Sequence, residues 1–457
     1  MAQLPTSLVF TIRRSEAELV APAKATPREY KLLSDIDDQQ SLRFQIPVIQ
    51  FYRCNPCMQG KDPARVIKDA LAQTLVFYYP LAGRLREGRN RKLAVDCTGE
   101  GALFIEAEAD VKLEQFGDAL QPPFPCFDEL LYNVPGSEGM LNCPLLLIQV
   151  TRLKCGGFIF AIRLNHVLAD GAGMIQFMSA MAEMSRGAIA PSIPPKWERH
   201  LLDARDPPRI SFTHREYDEV EGTIILSENM VQRSFFFGPK EVSTLRKLLP
   251  HHLRKCSKFD ILASCLWRCR TIAIKPDPDE EVRLLCVVNV RSKLNPPSPS
   301  GFYGNAIVFS AAITTARKLC QNPLGYAVEL VKQAKESVTE EYVKSAADFM
   351  VIKGKRLHYT MVRSCVISDV TRVAFVDVDF GWGKAVYGGL AKAGIGAIPG
   401  ALSFLVASKN KNGEAGTLML ICLTAPAMER FSKELDNMSK EQPADEMGKS
   451  VSISSTL

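Results

Sequence analysis

A chain of 457 residues is longer than one ordinary core supports, and it is expected to divide into two or three domains. Hydrophobic residues at 46% and charged residues at 23% are the proportions of a soluble globular protein. The formal charge of +6 is slight and comes without a Lys/Arg cluster interleaved with aromatics, which argues against nucleic acid but leaves room for a small anionic ligand.

In chain order, residues 62–75 (DPARVIKDALAQTL) predict a helix. Asp62 can cap it, Pro63 suits the first turn, and Val66, Ile67, Ala70, Leu71 and Leu75 share one face. LLLIQVTRL (145–153) and GFIFAIRLNHV (157–167) predict two strands joined as a hairpin through Lys-Cys-Gly-Gly. Residues 171–187 then predict a helix closed by a glycine. His166 therefore falls at the end of a strand and Asp170 just ahead of a helix, where functional groups commonly sit.

Residues 187–222 carry five prolines and no sustained period, and predict a crossover between domains. Beyond it, 258–274 predicts a helix, 283–291 and 303–313 strands, and 323–350 contains a long helix. ALSFLVASKN and TLMLICLT predict a hairpin through Asn412-Gly413, and Thr424 with Pro426 starts a last helix. The expected organisation is an α/β domain over 1–186, the crossover 187–222, and a second α/β domain over 223–457.

No window approaches the roughly 18 apolar residues of a membrane span, and the first residues lack the apolar stretch of a secretory signal. The thirteen cysteines lie scattered, many inside apolar runs, so a reducing cytoplasm is expected, with no membrane partner. The terminal Ser-Thr-Leu lacks the basic middle residue of a peroxisomal signal.

Several short patterns imitate known sites. CNPC (54–57) has metal or redox spacing but no second pair at matching spacing. GIGAIPG (394–400) lacks the third glycine of a dinucleotide loop, and a proline stands where its helix should begin; a turn is expected. Asp379-Phe380-Gly381 with AIK at 273–275 mimics a kinase pair, without the catalytic loop between them. No G-x-S-x-G elbow offers a serine nucleophile.

Two constellations remain. HVLADG (166–171) places an imidazole, with an unperturbed pKa of about 6.5, where it can accept a proton from an alcohol or amine. Its ordinary reading is a strand-end histidine bonded to backbone. Asp170 could orient the ring or bind the surrounding loop. DFGWG (Asp379, Phe380, Gly381, Trp382, Gly383) joins a carboxylate, two aromatics and two glycines in a sharp backbone path, with a packed turn as its ordinary reading.

The pair HxxxD and DFGWG, about 210 residues apart, resembles the signature of the plant BAHD acyl-CoA-dependent acyltransferases. YYPLAGRL (78–85), FDILASCLWR (259–268), NVRSKLNPP (289–297), GFYGNAIV (301–308) and APAMERF (425–431) are similar to further landmarks of that family. The resemblance covers essentially the whole chain. Residues 21–52 resemble the branch of alcohol acyltransferases and benzyl alcohol O-benzoyltransferases.

The resemblance implies an α/β fold of two chloramphenicol-acetyltransferase-like domains, with mixed sheets flanked by helices and joined by a long crossover loop. It implies His166 as catalytic base in a channel between them, and Asp170 paired with Arg291 as structural support. DFGWG is then largely architectural, with Asp379 also carried as a catalytic candidate. Acyl-CoA enters as co-substrate, with no permanently bound cofactor and no metal. Arg254, Lys255, Ser257 and Lys258, ahead of a helix, are the candidates for the CoA phosphates, since charge and helix N–H groups both favour anions. Relatives that transfer hydroxycinnamoyl groups place an aromatic about nine residues before DFGWG. Val370 stands there, leaving room in the acceptor pocket for a small neutral alcohol.

The reaction expected is ester formation from an acyl-CoA and a benzyl or aliphatic alcohol, by a monomer, through a ternary complex. The readings kept beside it are N-acylation of an amine, a thioesterase, and a non-catalytic CoA-binding paralogue.

Overall fold

The strand Phe158–Asn165 is buried along nearly its whole length, as its unbroken run FIFAI requires. A strand buried on both faces must be covered on both. In the computed structural model, which describes residues 8–117, 120–222, 229–354, 357–394 and 400–438, it is central to a seven-stranded sheet. The order across that sheet is Ile12–Arg14, Ala102–Ala109, Leu146–Leu153, Phe158–Asn165, Gln45–Tyr52 and Tyr387–Leu390. Glu18–Val20 also pairs with Ala102–Ala109.

A six-stranded sheet holds Met230–Phe237, Ala415–Thr424, Leu402–Lys409, Ser364–Asp369, Glu281–Asn289 and Ile307–Thr315, in that order. Both sheets are mixed: Ala102–Ala109 runs parallel to Leu146–Leu153, and Ser364–Asp369 runs parallel to both its neighbours. A three-stranded sheet of Tyr30–Leu32, Leu93–Asp96 and Arg84–Glu87 stands apart. The fold is thus α/β, with two domains of mixed sheet flanked by helices.

The helix Pro63–Phe77 begins where the sequence indicates. Asp62 accepts from Ala64 N–H at 3.4 Å, and Arg152 grips its carboxylate with two bonds of 2.6 Å. Ile67, Ala70, Leu71 and Leu75 are buried, whereas Val66 is only partly so. On the second sheet, Lys258–Ile274, Leu324–Glu336 and Ala425–Met438 supply the apolar cover.

Three elements differ from expectation. Residues 323–350 form two helices, Leu324–Glu336 and Glu340–Lys353, because Val338 turns into a buried cluster and Thr339 caps the second through Tyr342 N–H. The strand expected over 303–313 starts at Ile307, since the preceding residues are spent as anchors of the site. The short helix Ala316–Gln321 had no periodicity long enough to announce it.

Strand Tyr387–Leu390, late in the chain, pairs antiparallel with Gln45–Tyr52 and so completes the sheet built by the first half. The crossover 187–222 has no strand or α-helix, only the turns Arg199–Leu202 and Arg215–Tyr217. It is nevertheless anchored. Its His214 and Glu216 are buried, with Nδ1 of His214 2.8 Å from Glu216 and Nε2 2.9 Å from Ser345 Oγ. The turn expected over 394–400 lies mostly outside the described residues, as does the terminal Ser-Thr-Leu.

Candidate active site

The strand Phe158–Asn165 ends as Asn165 caps the turn His166–Leu168, accepting from Val167 N–H at 3.4 Å. His166 is fixed on two sides. Its backbone N–H donates to the Phe44 carbonyl at 2.8 Å, and its Nδ1 lies 3.0 Å from Oδ1 of Asn305. The amide of Asn305 spends both hydrogens elsewhere, on Asp37 Oδ1 and on the His166 carbonyl, each at 2.8 Å. Its Oδ1 can therefore only accept, so Nδ1 of His166 carries the proton and Nε2 keeps a lone pair. Burial pushes the His166 pKa below its usual value, which keeps the ring neutral.

Asp37 is the root of this chain. Besides Asn305 it binds Arg199 of the crossover at 2.8 Å and both Ser34 N–H and Ser34 Oγ. Arg199 also donates to the Leu168 carbonyl at 2.7 Å and stacks over the Trp197 ring. The sequence reading missed Asn305, Asp37 and Arg199. GFYGN was a visible landmark, but its asparagine stands 139 residues from His166, and only the fold brings them together.

Asp170 has no bond to His166 among the described contacts. Its carboxylate takes a bidentate pair from Arg291 at 2.7 and 2.8 Å, and accepts from Gly173 N–H and Ala306 N–H at 3.0 Å. Burial alone would raise its pKa; the Arg291 charge and these bonds outweigh that and hold it below the usual carboxylate range. One side chain thus caps the helix Gly171–Ser185 and ties it to the second sheet.

DFGWG lies elsewhere. Asp379 Oδ1 accepts from Gly381 and Gly383 N–H, both at 2.7 Å, and Arg186 donates to its carbonyl. The loop needs φ of +107° at Gly381 and +89° at Gly383, and a Cβ at Gly381 would fall 2.9 Å from Met58. Phe380 packs on Phe160 and Tyr52, and Trp382 stands edge-on to Phe158. None of the five lines the cavity around His166.

That cavity, about 120 Å³, is walled from both large sheets: Ile46 and Val48 from one, Val287, Val366 and Phe404 from the other. Val370 lines it. Among the described residues no lysine or arginine does, and the carboxylates that do are Asp369 and the already paired Asp170. The arrangement offers one neutral base at the wall of an apolar chamber, suited to removing a proton from a neutral nucleophile.

Arg254, Lys255, Ser257 and Lys258 lie outside this chamber, at the start of Lys258–Ile274. Ser257 caps that helix, and its hydroxyl donates to Asp260, which also holds Lys335 at 2.5 Å. Lys255 and Lys258 are exposed. Cys54 and Cys57 are both exposed, and no cluster of His, Cys, Asp and Glu suited to a metal occurs among the described residues.

The Transferase family matches residues 10–438 of this sequence. The chain belongs to that family, the BAHD acyl-CoA-dependent acyltransferases, and is an acyl-transfer enzyme. It is 66% identical over 438 residues to the benzyl alcohol O-benzoyltransferase of Petunia hybrida, covering 95% of each chain. Among solved structures, vinorine synthase superposes with a TM-score of 0.74 at 22% identity, over 94% of this chain and 98% of the other. TRI101 of F. graminearum with ethyl coenzyme A gives 0.71 at 13%, over 89% and 97%. These two carry the fold alone.

Proposed function

We propose that the protein is an acyl-CoA:alcohol O-acyltransferase that joins benzoyl-CoA or a related acyl-CoA to benzyl alcohol or a similarly small neutral alcohol. The observation that carries this is the imidazole of His166, neutral, with Nδ1 committed to Asn305 and Nε2 without a partner among the described residues, at the wall of a mostly apolar chamber. Nε2 takes the hydroxyl proton as the alcohol oxygen attacks the thioester carbonyl. The tetrahedral oxyanion collapses, the C–S bond breaks, and the proton passes from Nε2 to the CoA thiolate. General-base action accounts for about 10²–10⁴-fold, and juxtaposing the two substrates away from water for much of the remainder.

The other residues support that step. Asp170 and Arg291 hold the helix after His166, and DFGWG, Asp379 included, holds the strand Tyr387–Leu390 against the first sheet. The basic stretch 254–258 receives the CoA phosphates. The two domains flanking 187–222 contribute facing walls. A monomer suffices, since one chain supplies every group named, and the unpaired cysteines suit a reducing cytoplasm.

The test is thiol release from benzoyl-CoA with benzyl alcohol, with the ester identified. His166→Ala is expected to lose at least about 10²-fold in kcat while still binding CoA. Undiminished turnover in that variant, or thiol release that does not need the alcohol, overturns the reading.

A further inference from the structure

Of the buried side-chain polar atoms without a hydrogen-bond partner among the described residues, Ser41 Oγ is the one on a residue that lines the His166 cavity. Ser41 also lines a second hollow, of about 300 Å³, together with Gln40, Arg43, Glu138 and His358. Phe44 is the other residue common to both, and its ring stands 5.1 Å from that of His166. Ser41 and Phe44 therefore stand between an apolar inner chamber and a polar outer one.

The outer chamber is rich in acceptors. Nδ1 of His358 lies 3.1 Å from the Tyr359 carbonyl and so carries the ring hydrogen, which leaves Nε2 as a lone-pair acceptor. Burial lowers the His358 pKa, favouring the neutral ring. Glu138 adds an exposed carboxylate. The two terminal nitrogens of Arg43 are paired with Asp38 and Glu87, each at 2.8 Å, while its Nε is a buried donor without a partner among the described residues. Such a lining offers a neutral chain the lone pair of His358 and one exposed carboxylate as hydrogen-bond acceptors. A buried hydroxyl lacking a partner is costly, and a site of that kind favours the ligand whose own hydroxyl satisfies it.

We propose that the acceptor enters through this outer chamber, and that Ser41 and His358 select alcohols bearing a second hydroxyl several bonds from the reacting one. The inference rests on the O-acyltransferase reading above. With the reacting hydroxyl at Nε2 of His166, the rest of the acceptor passes Phe44. Its second hydroxyl exchanges hydrogen bonds with Ser41 or, on a longer chain, donates to Nε2 of His358.

The experiment uses the full chain, one acyl-CoA, and primary alcohols of matched length ending in methyl, hydroxyl or carboxylate, over several chain lengths. After allowance for the two equivalent hydroxyls of a diol, kcat/KM is expected to favour the hydroxyl end over methyl by about tenfold at one length or more, and to disfavour carboxylate. Ser41→Ala and His358→Phe are each expected to bring the hydroxyl-to-methyl ratio toward one at the chain lengths they serve. His358→Gln, which keeps an acceptor oxygen, is expected to recover part of it. A wild-type enzyme indifferent to the end group at every length overturns the proposal, as does a preference that survives in the Ser41→Ala, His358→Phe double variant. Benzyl alcohol distinguishes the two levels: turnover without end-group discrimination fails this inference alone, whereas no turnover of any alcohol fails the O-acyltransferase reading beneath it.

Discussion

With Nδ1 committed to Asn305, His166 can act only through Nε2, and that commitment depends on a single amide. Asn305→Leu removes the acceptor for Nδ1–H, frees the tautomer and leaves Asp37 with one partner fewer. The expected result is a kcat lower by roughly ten- to hundredfold, with KM for acyl-CoA little changed. A variant with wild-type kcat would show that the amide does not set the tautomer. The depressed pKa of His166 also fixes a pH dependence. An unfolded chain protonates this ring below about pH 6.5, whereas the folded one holds it neutral to lower pH. Its contribution to stability is therefore complete above that pH and is lost as pH falls through the folded value. The acid limb of kcat/KM should lie below 6.5; a limb above it contradicts the burial effect. At this scale the sequence was half legible. The place of His166 at a strand end was readable, but Asn305, Asp37 and Arg199 are defined by contacts across 139, 268 and 162 residues. No local pattern carries such separations.

The elements around the site show why the Asp of HxxxD looks catalytic without touching the His166 ring. The motif spans a strand end, a single turn and a helix cap, so His166 and Asp170 leave in different directions. Asp170→Asn keeps an oxygen for the cap but loses the ion pair, leaving Arg291 mostly buried and uncompensated. Breaking such a pair costs about 3–5 kcal/mol, a large part of a typical stability. Melting should therefore shift down clearly, while kcat of the folded fraction stays within about tenfold of wild type; a kcat loss equal to that of His166→Ala would instead make Asp170 a relay. DFGWG behaves similarly. Asp379→Ala strips two N–H groups of their acceptor, at about 1–3 kcal/mol, and is expected to lower the melting temperature more than kcat. Helices and strands with strong periodicity, such as Pro63–Phe77 and Phe158–Asn165, were readable in advance. The break at Thr339 was not, because the sequence there has neither Gly nor Pro to mark it.

At the scale of the molecule, the chain divides less cleanly than its proline-rich crossover suggests. Tyr387–Leu390 belongs by sequence to the second half and by hydrogen bonding to the first sheet, where it covers the edge of Gln45–Tyr52. That edge strand is almost wholly buried, and Gln50 and Tyr52 donate from it to the carbonyls of Phe375 and Val378. A fragment ending at residue 222 would expose an apolar, unpaired strand together with Phe158 and Phe160, the partners of Trp382 and Phe380. Exposed edges of this kind pair with other chains. The fragment 1–222 expressed alone is therefore expected to aggregate, and co-expression with 223–457 should return both to a soluble complex on gel filtration. A monodisperse, folded 1–222 would show that the late strand is dispensable to the first sheet. The same dependence explains why the chamber around His166 needs the whole chain. His166 stands at the end of a strand in the first sheet, Asn305 precedes a strand of the second, and Arg199 of the crossover ties Asp37 between them. Cutting any one of the three segments removes a link that holds the His166 ring in its neutral, single-tautomer form.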